Sequence, residues 1–343
     1  MSEKMKAALF GEVEEIAVHE VDKPTIRPGC VLVEVRACGV CGSDLHFYYD
    51  EWMHRDVAHG HEVGGVVAEV GEGVDHVKPG DRVTVECFSH CGECDYCKTG
   101  LYNLCANRKF DAEGHGGFAE FTLVDAKAVF PIPDTMTFEQ GALVEPLAVG
   151  YRAFHLTEAR SQDTVVILGA GMIGLCALAS AVEAGVRETI ITTKYKHQAE
   201  MAKELGAACV VRVPQGNLAE IVEERTGGVL ADAVVDTVSN KETVAQALSV
   251  PRRRGRVVFV GGFTGPVEAD LGKVIHSELV VTGSCCYGYT GERKDFDSCI
   301  DLIASGRFDF DRLITHRFPL DDIAEAFSIA ADKTSGSRTC QAN

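Results

Sequence analysis

Apolar and polar positions alternate in short runs over the first third of the chain. Residues 31–37 read Val-Leu-Val-Glu-Val-Arg-Ala after Pro28-Gly29, which predicts a half-buried strand following a turn. A second β run lies between Gly64-Gly65 and Gly71, a turn follows at Pro79-Gly80-Asp81, and residues 82–87 predict a further strand. A glycine turn, which includes Gly114 and His115, feeds a strand near Phe121, and Pro131-Ile132-Pro133 marks the next loop. Residues 137–151 then predict a helix.

From residue 163 the rhythm changes. Residues 164–168 are a continuous apolar strand, residues 175–184 predict a helix, and residues 189–193 predict the next strand. Further strands are expected at 209–211, 233–236 and 256–260. Strands that alternate with helices imply a parallel, doubly wound sheet. Mixed structure returns near Ser284-Cys285-Cys286-Tyr287-Gly288, with amphipathic helices expected at 296–306 and 320–331. The expected fold class is therefore α/β. One domain covers residues 151–286, and a discontinuous, mainly β domain is built from 1–150 and 287–343. There are no internal repeats or low-complexity tracts.

Composition narrows this picture. A chain of 343 residues suits about two domains. Its formal charge of -18, from 33 basic and 51 acidic residues, disfavours nucleic acid and anionic membranes as partners. No apolar run is long enough to span a bilayer, and the first residues lack a signal-peptide layout. Fourteen cysteines then point to thiols and metal rather than disulfides, and a cytoplasmic protein is expected.

Four stretches carry candidate chemistry. Cys41-Gly42-Ser43-Asp44-Leu45-His46 and Gly60-His61-Glu62 bracket a loop, and Cys and His are strong zinc ligands. Phe47, Tyr48, Tyr49, Trp52 and Met53 in that loop either line an apolar substrate wall or simply pack the loop. Cys91, Cys94, Cys97 and Cys105 have the spacing of a closed structural metal site in a lobe at about 88–107. Spacing alone also admits an iron–sulfur cluster. Glu145, in Glu-Pro-Leu-Ala-Val, is an acid inside an apolar segment; it needs a partner such as a metal unless it simply starts a helix.

The fourth stretch is Gly169-Ala170-Gly171-Met172-Ile173-Gly174, between a buried strand and a helix. In that context its glycines let backbone approach a pyrophosphate at a helix N-terminus, so dinucleotide binding is expected. The acid expected about 20 residues later, for an adenosine ribose, is replaced by Thr193. Lys194 and Lys196 beside it leave room and charge for a 2′-phosphate, so NADP is expected in preference to NAD. If these lysines are only solvated surface, the coenzyme is NAD.

Together these residues resemble the zinc-containing medium-chain alcohol dehydrogenase family over nearly the whole chain. Gly60-His61-Glu62, Gly65, Gly71 and Val74 fit its zinc signature, and the four-cysteine lobe and glycine motif follow in the family's order. Where the Cys₂His version of the site has its second cysteine, this chain has Glu145, which resembles the sorbitol and threonine dehydrogenase branch. The resemblance implies a GroES-like catalytic domain plus a Rossmann domain and two zinc ions per chain. It implies a catalytic zinc shell of Cys41, His61, Glu62 and Glu145, with the two glutamates exchanging with water, and Asp44 orienting His61. It implies zinc rather than iron–sulfur in the four-cysteine lobe. It also implies a proton relay through Ser43 and His46, and assembly as a homodimer or homotetramer. The expected reaction is hydride transfer between NAD(P) and a secondary alcohol: a polyol, sugar alcohol, cyclitol or amino alcohol. The alternatives are a primary alcohol–aldehyde dehydrogenase, a zinc hydrolase or lyase with a vestigial nucleotide fold, and a non-catalytic zinc- and nucleotide-binding regulator.

Overall fold

Valines stand at alternate positions 31, 33 and 35 of the strand Cys30–Gly39, and Val31 and Val33 are fully buried. In the computed structural model, which describes residues 3–49, 59–110, 116–263, 265–332, 334 and 340–342, this strand is the centre of a mainly antiparallel sheet. The sheet order is His316–Phe318, Cys340–Ala342, Cys30–Gly39, Glu62–Val70, Arg82–Val85 and Val129–Pro131, and Phe121–Asp125 also pairs with Cys30–Gly39. Val63, Val67, Val83, Val85, Phe118 and Phe327 close the core around it. This is the curled, GroES-like architecture.

Two compact units are present, Met1–Glu145 with Phe296–Asn343, and Pro146–Asp295. The second unit is a six-stranded parallel sheet. Its order is Cys209–Arg212, Glu188–Thr193, Thr164–Leu168, Ala231–Asp236, Pro251–Phe259 and Val280–Gly283. The first strand in sequence lies inside the sheet, and the chain winds outward from it in both directions, as in a Rossmann fold. Val166, Leu168, Ile190, Val234 and Val257 form its core.

Three local results differ from the sequence expectations. The helix predicted at 137–151 runs Phe138–His155, so Glu145 sits in its middle and is not a helix-start acid. Pro146 lies inside this helix; its ring nitrogen has no proton to donate to the preceding turn. The strand Val280–Gly283 was not expected, because its four residues are all exposed at the sheet edge and show no apolar alternation. Pro131, expected in a loop, ends the strand Val129–Pro131, an edge position where a missing N–H is tolerated. Among the described residues no helix is long and apolar enough to cross a membrane.

Candidate active site

Strand pairing assembles the first cluster. Gly39 and Glu62 are register partners. Cys41 follows Gly39 by two residues and His61 precedes Glu62 by one, so all three chemical groups emerge at the same end of the sheet. One ligand atom from each of Cys41, His61 and Glu62 lies within 4.8 Å of the others. Cys41 also precedes the short helix Gly42–Tyr49. Asp44 on that helix accepts a hydrogen bond from the Cys41 backbone N–H at 2.8 Å through Oδ2, while its Oδ1 lies 3.5 Å from His61 Nδ1. One buried carboxylate thus steadies both the cysteine loop and the imidazole.

The electrostatics are those of a site that would take a cation. Glu62 is buried, and its Oε2 has no hydrogen-bond partner. Burial, with the Glu145 carboxylate nearby, raises the Glu62 pKa to about 8. Burial also raises the Cys41 thiol. For His61, burial opposes the charged form, but Asp44 and Cys41 outweigh it and hold the imidazole well above its usual range. A divalent ion would relieve the orphaned oxygen and favour the thiolate, so the residues fit zinc.

Glu145 stands beside this trio rather than within its mutual spacing. Its carboxyl is buried, which raises its pKa; His61 and a hydrogen bond with Cys87 act in the opposite direction. Cys87 was not singled out in the sequence, since it belongs to no spaced motif. Ser43 and His46 are both exposed and lie three residues apart on Gly42–Tyr49, hence on one face of that helix. Phe47 and Tyr48 pack against the core, and the Phe47 ring lies tilted against the His59 ring with centroids 4.3 Å apart, so these two pack the loop rather than line an open wall. Tyr49 is exposed, whereas Trp52 and Met53 lie outside the described residues, as do Gly114 and His115.

The second cluster is the four-cysteine lobe. Around the ring the sulfur separations are 3.9 Å for Cys91–Cys97, 3.5 Å for Cys94–Cys97, 3.9 Å for Cys94–Cys105 and 3.5 Å for Cys91–Cys105. A tetrahedron with zinc–sulfur arms of about 2.3 Å has edges of about 3.8 Å, whereas a disulfide needs about 2.05 Å. The spacing therefore fits one ion. Backbone N–H groups of Glu93 and Cys94 both donate to the Cys91 sulfur at 3.4 Å. These bonds lower the Cys91 thiol to about 6, as a ligand thiolate requires. The lobe is tied to the sheet by Tyr102, whose hydroxyl donates to the buried Glu86 carboxylate.

In the second unit, Thr164–Leu168 leads into the glycine turn and then the helix Met172–Glu183. Gly169 has φ +95°, and a Cβ on Gly174 would lie 2.0 Å from the Gly169 carbonyl oxygen. A Cβ on Gly171 would meet nothing within 4 Å, and no side chain caps the helix start. Tight packing behind and open space in front, with the first N–H groups of the helix at Met172, Ile173 and Gly174, fit a pyrophosphate. Thr193 ends Glu188–Thr193; it is buried, and its Oγ1 has no hydrogen-bond partner. Lys194 and Lys196 follow it and are exposed.

A paired Rossmann sheet and a thiol–imidazole–carboxylate cluster define a nicotinamide- and zinc-dependent oxidoreductase. The alcohol dehydrogenase GroES-like domain family matches residues 27–134, and the zinc-binding dehydrogenase family matches residues 173–305. D-Arabitol-phosphate dehydrogenase of Enterococcus avium is 36% identical over 322 residues, covering 92% of this chain and 90% of its own. Sorbitol dehydrogenase of Bacillus subtilis is 32% identical, covering 96% and 94%. A zinc-binding dehydrogenase of Sinorhizobium meliloti 1021, solved bound to NADP, superposes with a TM-score of 0.90 at 32% identity and covers 99% of both chains. The chain belongs to the zinc-binding alcohol dehydrogenase family, in its polyol branch. It is an enzyme of the alcohol dehydrogenase type that acts on secondary alcohols.

Proposed function

We propose that Cys41, His61 and Glu62 hold a catalytic zinc, with Glu145 exchanging beside it, and that the enzyme interconverts a polyol or related secondary alcohol and its ketone. The observation that carries this reading is the buried, unpartnered Glu62 Oε2 beside a thiol and an imidazole. When bound, zinc polarises the substrate hydroxyl as a Lewis acid and the nicotinamide accepts the hydride. Ser43 takes the hydroxyl proton and His46 carries it to solvent, a path their exposure permits. Asp44 holds the His61 ring in place. A shell rich in carboxylate suits a polyol, whose neighbouring hydroxyl can add a further oxygen ligand. The names of the arabitol-phosphate, sorbitol and butanediol relatives support that substrate class.

The coenzyme unit is Pro146–Asp295, the catalytic unit the remainder, and a second zinc sits among Cys91, Cys94, Cys97 and Cys105. NADP is the preferred coenzyme, supported by Thr193 in place of an acid. The protein works as a homo-oligomer. The exposed edge strand Val280–Gly283, with Val280 and Val281 at 45% and 41% exposure, borders an apolar groove of about 320 Å³ lined by Phe263, Leu271 and Val281. Such an edge needs a partner, and a second copy of the same strand supplies one. The thirteen cysteines whose side chains are described are free thiols, which supports a cytoplasmic setting.

The test is a panel of sugar alcohols, cyclitols, amino alcohols and primary alcohols, run with both coenzymes and followed by nicotinamide absorbance. Turnover is expected on secondary alcohols and is lost in His61→Ala. Turnover retained by a metal-free His61→Ala protein overturns the proposal.

A further inference from the structure

Strand order brings Arg212 to a place that its position in the chain does not suggest. Cys209–Arg212 lies parallel to Glu188–Thr193, and Thr193 and Arg212 are register partners. Neighbouring strands lie about 4.8 Å apart, and side chains at paired positions leave the sheet on the same face. Each residue ends its strand. The strand end also abuts the glycine turn, because Thr192 accepts a hydrogen bond from the Gly169 N–H at 2.8 Å. The carboxyl edge beside that turn is where an adenosine ribose is held in this architecture.

The three cations at this edge are not equivalent. Lys196 is engaged by Glu200 at 3.5 Å. The Lys194 ammonium lies 5.5 Å from the centre of the Tyr195 ring. Arg212 is exposed, and its guanidinium has no ion-pair partner among the described residues. Beside it stands Thr193, uncharged, buried and with an unpartnered hydroxyl oxygen. A carboxylate at that position would bind a ribose hydroxyl and repel a phosphate, whereas a threonine carries no charge to repel one. A guanidinium presents a planar fork of donors that matches a phosphate, which a lysine ammonium cannot copy.

We infer that Arg212 is the specificity-determining contact for the 2′-phosphate of the coenzyme, with Lys194 in a secondary role and Lys196 contributing little. This assignment rests on the NADP preference proposed above.

Calorimetric titration of the zinc-loaded enzyme with 2′,5′-ADP and with 5′-AMP tests it without turnover. The wild type is expected to bind 2′,5′-ADP more tightly. Arg212→Met, which keeps the stem and removes the charge, is expected to weaken 2′,5′-ADP by about tenfold to a hundredfold, the range of a lost charge-assisted contact. Its affinity for 5′-AMP stays within about twofold of wild type, which also reports an intact fold. Arg212→Lys recovers part of the loss, and Lys196→Met changes little. If the wild type discriminates and Arg212→Met discriminates equally well, the role of Arg212 is overturned while the NADP preference stands. If the wild type itself does not discriminate, both fall.

Discussion

Gly39 and Glu62 face each other across two antiparallel strands, and a Cβ on Gly39 would lie 1.9 Å from Glu62 Oε2. The candidate ligand carboxylate fills the space that a side chain on the partner strand would need. Gly39→Ala therefore has to displace Glu62, an overpacking that costs about 1–3 kcal/mol. Elemental analysis is expected to show loss of the ion held by Cys41 and His61 while the ion of the four-cysteine lobe remains. Full metal content and full activity in this variant would remove Glu62 from the shell.

Zinc in the four-cysteine lobe is structural in this reading. Cys97→Ser is expected to lower the zinc content from two ions per chain to one. It is also expected to destabilise the protein by on the order of 4 kcal/mol, as loss of a structural metal does. Zinc content and thermal unfolding measure the two effects together. Two ions retained in the variant would count against the site.

The relay predicts a change in rate without a change in binding. Ser43→Ala should lower kcat by about a hundredfold or more, with coenzyme affinity within about twofold of wild type. His46→Gln should have a smaller effect and alter the pH profile of kcat. An unchanged kcat in Ser43→Ala would exclude it from proton transfer.

His155 ends the helix Phe138–His155, its ring tilted against that of Tyr151 with centroids 4.1 Å apart, and burial pushes its imidazole down to about 4. The folded value lies below the unfolded one, so between about pH 6.5 and 4 the unfolded chain holds more protons. Stability therefore falls as pH falls through that window, by up to about 3 kcal/mol from this group. His155→Phe is expected to flatten that part of the pH dependence. Urea unfolding at pH 7 and pH 5 for both proteins checks it; parallel losses would show that His155 contributes none of the acid sensitivity.

The edge strand gives a test of assembly. Val281→Lys places a charge on the exposed strand Val280–Gly283 and is expected to shift the oligomer towards monomer in sedimentation. A distribution identical to wild type would locate the contact elsewhere.

Much of the candidate site was legible because it is local. Cys91, Cys94 and Cys97 sit in one loop, and Gly169 to Gly174 forms a single turn between a strand and a helix. The apolar–polar period marked most strands and both late helices to within a few residues. The edge strand Val280–Gly283 escaped this reading because a sheet edge buries neither face and leaves no period. Cys87 escaped it because its significance is a hydrogen bond to Glu145, far away in sequence and on another element.

Residue type and spacing by themselves pointed to the two-domain α/β class, a four-thiol candidate metal lobe and a candidate dinucleotide turn. Each of these depends on backbone and side-chain chemistry within a few residues. Only the tertiary structure decided that Gly39 makes room for Glu62, that Glu145 stands beside rather than within the Cys41–His61–Glu62 trio, and that Arg212 pairs with Thr193. Such meetings depend on strand order and register. Those follow from the packing of a whole sheet against its core, which no short window of the chain contains.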